Sequence, residues 1–296
     1  MAKATATPKA ERNVTLHDGR SLAYSEWGDL DGVPVVLLHG MPGSRSFCPD
    51  EDATEAANVR LITIDRPGYG LSDARPERTL LSWVADFVEF ADLTDLPACP
   101  IVGWSSGGPY ALACGFRAPE RVRSIGLAAS AAPVDEVPGA SERLSPEVRE
   151  LTELLRRDPV AAEHGIRKRC EWYAEGWEVM FEPGWATSDE RDDPDDRLLA
   201  DRNVLEALKG WMREGARQGT AGYVSDWIAE SLPWGFSVSD VPSEVHVWWG
   251  EGDVLISRAE TEYLAKRIVR STLVTYPDEG HLFPVTHWSD MMKDLL

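Results

Sequence analysis

At 296 residues and 43% apolar side chains, the chain can bury a substantial core, as one large α/β domain with an insertion or as two modest domains. Its net charge of −20 excludes nucleic acid as a partner, because phosphate binding needs a basic face, and an anionic membrane surface would repel it.

In chain order, the first residues, "MAKATATPKAERN", are small and polar and lack the apolar run of a signal peptide. No later stretch reaches the roughly 18 apolar residues of a membrane span. The four cysteines, Cys48, Cys99, Cys114 and Cys170, have no metal-type spacing and are too few for a disulfide scaffold. The expectation is a cytoplasmic protein with reduced, mostly buried thiols.

"VTLHDGRSLAYSEWG" (14–28) predicts a hairpin, with Asp18-Gly19 as its turn. The pattern then changes. "VPVVLLHG", "RLITIDRPG", "CPIVGWS" and "VRSIGLAAS" are short runs apolar on both faces, as buried parallel strands require. Between them "TLLSWVADFVEFADLTDL" predicts a helix with Leu80, Val84, Phe87, Val88 and Leu93 on one face.

Residues 134–236 contain no convincing strand. "SPEVRELTELLRRD" predicts a helix with Ser145 as N-cap and Pro146 in the first turn, turning Val148, Leu151, Leu154 and Leu155 inward. Two more helices are expected over 158–180 and 198–219, and a fourth in "TAGYVSDWIAESL"; the acidic run "DERDDPDDR" (189–197) reads as a solvated loop. Strand and helix then resume through "EVHVWWGEGD", "RAETEYLAKRIV" and "STLVTYPDEGH" to a closing helix. The fold expected is α/β, a mostly parallel doubly wound sheet of about eight strands, with residues 1–133 and 237–296 as the core domain. Residues 134–236 form an all-helical cap over the carboxyl ends of the strands, where open α/β sheets place their ligands.

"GWSSG" (103–107) follows a predicted buried strand and precedes a predicted helix, "GGPYALACGFRA". A Gly-x-Ser-x-Gly sequence there can form a sharp turn that lifts the Ser105 hydroxyl above the sheet edge. It points the Ser106 N–H at whatever Ser105 attacks. A plain strand-to-helix connection would use the same small residues, so the rest of a constellation is needed. A serine needs a base, and the base an orienting acid. Of six histidines, His17 and His246 fall in a turn and a strand, His164 and His287 on helices, and His281 in a loop after a strand. Asp253, framed by Gly250 and Gly252 after another strand, is the favoured acid; Asp135, beyond the preceding strand, is its rival. In "LLHGMPGSR" the N–H of Met41 can supply a second oxyanion donor, Gly40 and Gly43 allow close approach, and His39 anchors the loop.

The stretches "HGMPGSR", "DRPGYGLSD", "GWSSGG", "GEGD" and "GH" together resemble the α/β-hydrolase superfamily over nearly the whole chain. The resemblance implies Ser105 as nucleophile, His281 as base, Asp253 as acid, Met41 and Ser106 as oxyanion hole, and 134–236 as a helical lid. Serine rather than aspartate at the elbow speaks against branches resembling epoxide hydrolases and haloalkane dehalogenases. The chemistry expected is acyl transfer without metal or organic cofactor, on a small to medium hydrophobic ester. An iminopeptidase-like, amidase or carbon–carbon bond hydrolase and a non-hydrolytic receptor on the same fold are the competing readings.

The 134–236 region holds six of the twelve tryptophans. Trp172, Trp177, Trp211 and Trp227, with Trp104 and Gly40, are the candidate substrate-binding residues. The partner expected is a small molecule, with a homodimer left open.

Overall fold

The computed structural model describes residues 7–176 and 194–296. Strands β1 (Ala10–Thr15) and β2 (Ser21–Gly28) form the expected hairpin, with Gly19 at a φ of +87° in its turn. There follow β3 (Val33–Leu38), α1 (Glu51–Ala56), β4 (Val59–Ile64), α2 (Leu80–Leu93), β5 (Cys99–Trp104), α3 (Gly107–Arg117) and β6 (Val122–Ala128). After β6 come α4 (Ala140–Arg143), α5 (Pro146–Arg157), α6 (Pro159–Gly176), α7 (Pro194–Leu199), α8 (Arg202–Gly215) and α9 (Ala221–Ser231). The sheet is completed by β7 (Glu244–Gly250), α10 (Arg258–Arg267) and β8 (Ser271–Tyr276), and α11 (Pro284–Leu295) closes the chain.

The eight strands form one sheet in the order β1-β2-β4-β3-β5-β6-β7-β8. β2 runs antiparallel to β1 and β4; every pairing from β4 to β8 is parallel. Because successive residues of a strand face opposite sides, apolar runs serve two cores. Val36, Leu38, Ile62, Ile64 and Ile101 face a core shared with α2 and α3. Val35, Leu37, Leu61, Val102 and Trp104 face a second core shared with α8 and α11. Each fully buried aliphatic side chain contributes about 1.5–3 kcal/mol, and the two innermost strands, β3 and β5, carry no charged residue. The parallel registers Leu38↔Gly103, Trp104↔Ala128 and Ala128↔Trp248 bring the carboxyl ends of β3, β5, β6 and β7 to one edge.

Two local expectations need correction. On α2 the buried face is Leu80, Trp83, Val84, Phe87, Phe90 and Ala91, whereas Leu93 is 46% exposed. The helical repeat carries the stripe through 83, 87 and 90, and Leu93 falls beyond it. The helix expected over 198–219 is interrupted: Asp201 accepts from the Asn203 N–H at 2.9 Å and so caps the start of α8, leaving α7 as a separate turn. Helix α5 is as expected, with Ser145 accepting from the Val148 N–H and Leu155 buried. It packs with α6 and α9 on a small apolar cluster of Leu155, Ala162, Ile166, Cys170 and Val224. Among the described residues 134–236 contain no strand, and no described helix is long and apolar enough to cross a membrane. All four cysteines are buried and unbridged, and burial pushes their thiols upward.

Candidate active site

Ser105 follows the last residue of β5 and has a φ of +54°, a left-handed conformation that a β-carbon disfavours. The turn is held by the Ser105 N–H donating to Ala128 O at 2.8 Å and by Ser105 O accepting from Gly108 N at 3.0 Å. It is also tightly packed. A β-carbon on Gly103 would lie 2.5 Å from both Gly107 O and the Gly108 Cα. The glycines flanking the serines are therefore required by the close approach of α3 to its own incoming strand.

On the adjacent edge, Asp253 and His281 lie in the loops after β7 and β8. Asp253 Oδ1 accepts from the N–H groups of Leu255 and Ile256, at 2.8 and 2.9 Å, which fixes its carboxylate. Its Oδ2 is 2.9 Å from His281 Nδ1, with both side chains largely buried. Nδ1 therefore carries the proton it donates to Asp253, leaving Nε2 as the free basic nitrogen of the neutral ring. Burial lowers the imidazole pKa, but the charge and hydrogen bond of Asp253, with the charge of Asp195, outweigh it, and the net shift is upward. Trp104, the residue before Ser105, donates from Nε1 to His281 O at 3.3 Å, tying the histidine loop to the elbow.

The acidic run 189–197 was expected to be solvated, and its described end is not. Asp195 of α7 accepts the His281 N–H on Oδ2 at 2.9 Å and the Leu282 N–H on Oδ1 at 3.0 Å. A β-carbon on Gly280 would stand 2.5 Å from the Asp195 Cγ, so the glycine makes room for this carboxylate. One cue lay in the sequence: Pro194 at the first turn of a helix followed by two acids suited to its positive end.

The loop after β3 approaches from the other side. A β-carbon on Gly40 would sit 3.3 Å from the Ser105 Cβ, which places the backbone of Gly40 and Met41 beside the elbow. His39 anchors this loop: Nδ1 donates to Gly40 O at 2.7 Å and Nε2 accepts the Arg66 N–H at 3.2 Å. Burial, then the Arg66 charge, holds its pKa well below 6.5, so it stays neutral. Arg66 and Arg78 both pair with Asp226 of α9 at 2.5 Å, and the hydroxyls of Tyr69 and Tyr110 donate to the same carboxylate at 2.8 and 2.7 Å. Burial opposes ionisation of Asp226, but the two guanidiniums prevail and its pKa is lowered. Four residues on, Glu230 accepts the Ser106 hydroxyl on Oε2 at 3.2 Å. The sequence signal was an aspartate on the inward stripe Gly222, Asp226, Ala229 of an otherwise apolar helix face.

The aromatic candidates occupy different environments. Trp104 and Trp211 stack on each other at 5.2 Å inside the α8/α11 core and are buried, Trp211 donating to Ser44 O at 2.8 Å. They build the wall behind the elbow. Trp227 packs on the cluster of α5, α6 and α9, and Trp172 is 63% exposed on α6. Trp177 lies outside the described residues. Asp135 is half-exposed and paired with Arg156 at 2.5 Å, away from His281. Among the described residues no cluster of His, Cys, Asp or Glu could hold a metal ion.

The sequence pattern of the alpha/beta hydrolase family matches residues 35–294. Over 114 residues, 38% of the chain, the protein is 35% identical to the dihydrolipoyllysine-residue acetyltransferase component of the acetoin cleaving system of Pseudomonas putida. Over 124 residues, 41% of the chain, it is 32% identical to a non-heme chloroperoxidase of Streptomyces lividans. The chain spans only 31% and 45% of the lengths of these relatives. A thermophilic esterase from Thermogutta terrifontis superposes with a TM-score of 0.65 at 22% identity, covering 96% of each chain, which is a likeness of fold.

Proposed function

Because the chain belongs to the alpha/beta hydrolase family, we propose that it is a serine hydrolase working by acyl transfer, with carboxylic esters of small to medium apolar acyl groups as substrates. The observation that carries this is the 2.9 Å pairing of His281 Nδ1 with Asp253, on loops at the same sheet edge as a left-handed Ser105. A base so oriented keeps Nε2 basic, and a serine in so strained a turn has no packing reason to be there.

In the mechanism, Ser105 Oγ attacks the ester carbonyl carbon while His281 Nε2 takes its proton. Asp253 stabilises the resulting imidazolium. The carbonyl oxygen becomes an oxyanion held by the N–H groups of Ser106 and Met41; in other enzymes one such donor is worth about 3 kcal/mol. Collapse breaks the ester C–O bond, and the alkoxide leaves with the proton from His281. Water then attacks the acyl-enzyme, giving its proton to Nε2, and Ser105 is released as its alcohol. Helices α4–α9 supply the cap that encloses the acyl group, held to the sheet by Asp226.

Intact-mass measurement after treatment with a fluorophosphonate tests this. One adduct is expected on the native protein and none on Ser105→Ala, with turnover of short-chain p-nitrophenyl esters lost in the variant. A folded native protein that takes no adduct would overturn the assignment and favour a non-hydrolytic binding role.

A further inference from the structure

Ser106 occupies the N-cap position of α3, yet its side chain makes no cap hydrogen bond; the hydroxyl is turned instead onto Glu230 Oε2 at 3.2 Å. An N-cap serine ordinarily accepts from the amides of the first helical turn, so Glu230 has drawn this one away. The other carboxyl oxygen, Oε1, is buried and meets no donor. Glu230 also borders, with Pro133, Val134 and Trp234, a cleft of about 240 Å³ between the end of α9 and the chain after β6.

The charges around Glu230 are already committed. Asp226 stands one turn earlier on the same helix, and Arg66 and Arg78, from the loops after β4 and before α2, both pair with it at 2.5 Å. The Tyr110 hydroxyl of α3 also donates to Asp226. Asp135 and Glu136, which border the same cleft, are taken by Arg156 and the Tyr263 hydroxyl. A carboxylate with one hydroxyl donor and one oxygen sealed from both water and protein donors is strongly disfavoured. Burial first, and then the Asp226 charge, accordingly push Glu230 up to about 8.

We propose that Glu230 is a positioning residue acting through Ser106: as the neutral acid it fixes the Ser106 hydroxyl and the first turn of α3, and as the carboxylate it places negative charge behind the oxyanion site and slows turnover. The inference rests on the serine-hydrolase assignment, since Ser106 matters as the donor to the oxyanion. Glu230 makes and breaks no bond to substrate; its proton passes to solvent as pH rises. A buried carboxylate hydrogen-bonded to the residue whose N–H holds the oxyanion predicts a rate loss of about tenfold to a hundredfold when both charges are present.

The experiment follows fluorophosphonate labelling of Ser105, and kcat and KM for an uncharged p-nitrophenyl ester, as pH is raised through 8 in the native protein, Glu230→Gln and Glu230→Ala. The native enzyme should lose kcat, not KM, along an alkaline limb centred near 8. Glu230→Gln, permanently neutral and still able to accept from Ser106, should lack that limb. Glu230→Ala should also lack it, but with lower kcat at every pH because Ser106 is released. A limb that survives unchanged in Glu230→Gln overturns the role of Glu230 while leaving the serine assignment intact. A folded native protein that takes no label at any pH overturns both.

Discussion

A left-handed φ of +54° at Ser105 costs about 1–2 kcal/mol relative to an ordinary backbone, and the two backbone hydrogen bonds of Ser105 hold the turn in it. Ser105→Gly should therefore be more stable than Ser105→Ala by about 1 kcal/mol, read as a difference in urea midpoints, while both should lack activity. Equal midpoints would mean that the turn carries no strain. At His281 the argument is electrostatic. Its pKa lies above the ordinary 6.5 because Asp253 and Asp195 overcome the effect of burial. In the proposed mechanism the working base is the neutral ring, so kcat/KM should rise with pH along an acid limb centred above 6.5. The same sign governs stability: the His281–Asp253 attraction acts in full below 6.5 and is lost as pH rises through the folded pKa. Asp253→Asn removes the charge but keeps the shape. Burial then dominates, the acid limb should move to lower pH, and, if the proposed mechanism holds, kcat should fall by about 10³–10⁴-fold, the loss typical of Ser-His-Asp enzymes. A limb that stays in place would show that another group sets it.

At the scale of elements, the strands were legible because their run length and two-faced apolar character leave few alternatives, and the motif glycines because three strand ends must crowd one serine. Helix faces were less legible: an apolar residue such as Leu93 can end a helix outside the stripe. What could not be read was long-range. Asp195 reaches the histidine loop from 86 residues away, and no local rule distinguishes it from its acidic neighbours. Its role is testable through Gly280. Gly280→Ala drives a methyl group into the Asp195 carboxylate, so it should displace the loop and lower kcat by about tenfold or more. Asp195→Ala should lower kcat too, and shift the acid limb downward by removing a charge that raises His281. The double variant should be no worse than the worse single one, because the methyl then fills the space the carboxylate left. Strictly additive losses would show that the two residues act on the site independently.

For the whole molecule, the issue is how a chain of net charge −20 holds α9 to the loops at the sheet edge. Surface ion pairs such as Arg167–Glu163 are exposed on both sides and contribute little. The Asp226 cluster differs, because both guanidiniums and the carboxylate have no exposed side-chain surface, and it joins α9 to the loops after β4 and before α2. Composition could place a helical insertion between β6 and β7, but not this anchor, whose three charged members are separated by up to 160 residues. Asp226→Asn leaves two buried guanidiniums facing a neutral amide, and removing one partner of a buried pair typically costs about 3–5 kcal/mol. We expect that loss as a lower urea midpoint, largely insensitive to added salt, since buried pairs are screened much less than surface ones. The pH dependence carries the opposite sign to that of His281. The pKa of Asp226 is depressed, so its contribution is complete above the ordinary carboxyl value of 3.8 and is lost only as pH falls through the lower folded value. The native protein should thus lose stability relative to itself in strong acid, while Asp226→Asn is already weak at neutral pH and the two curves converge as acid is added. Curves that run parallel down to the lowest pH would show that the cluster is held by packing and hydrogen bonds, with the charge on Asp226 contributing nothing to the seating of α9.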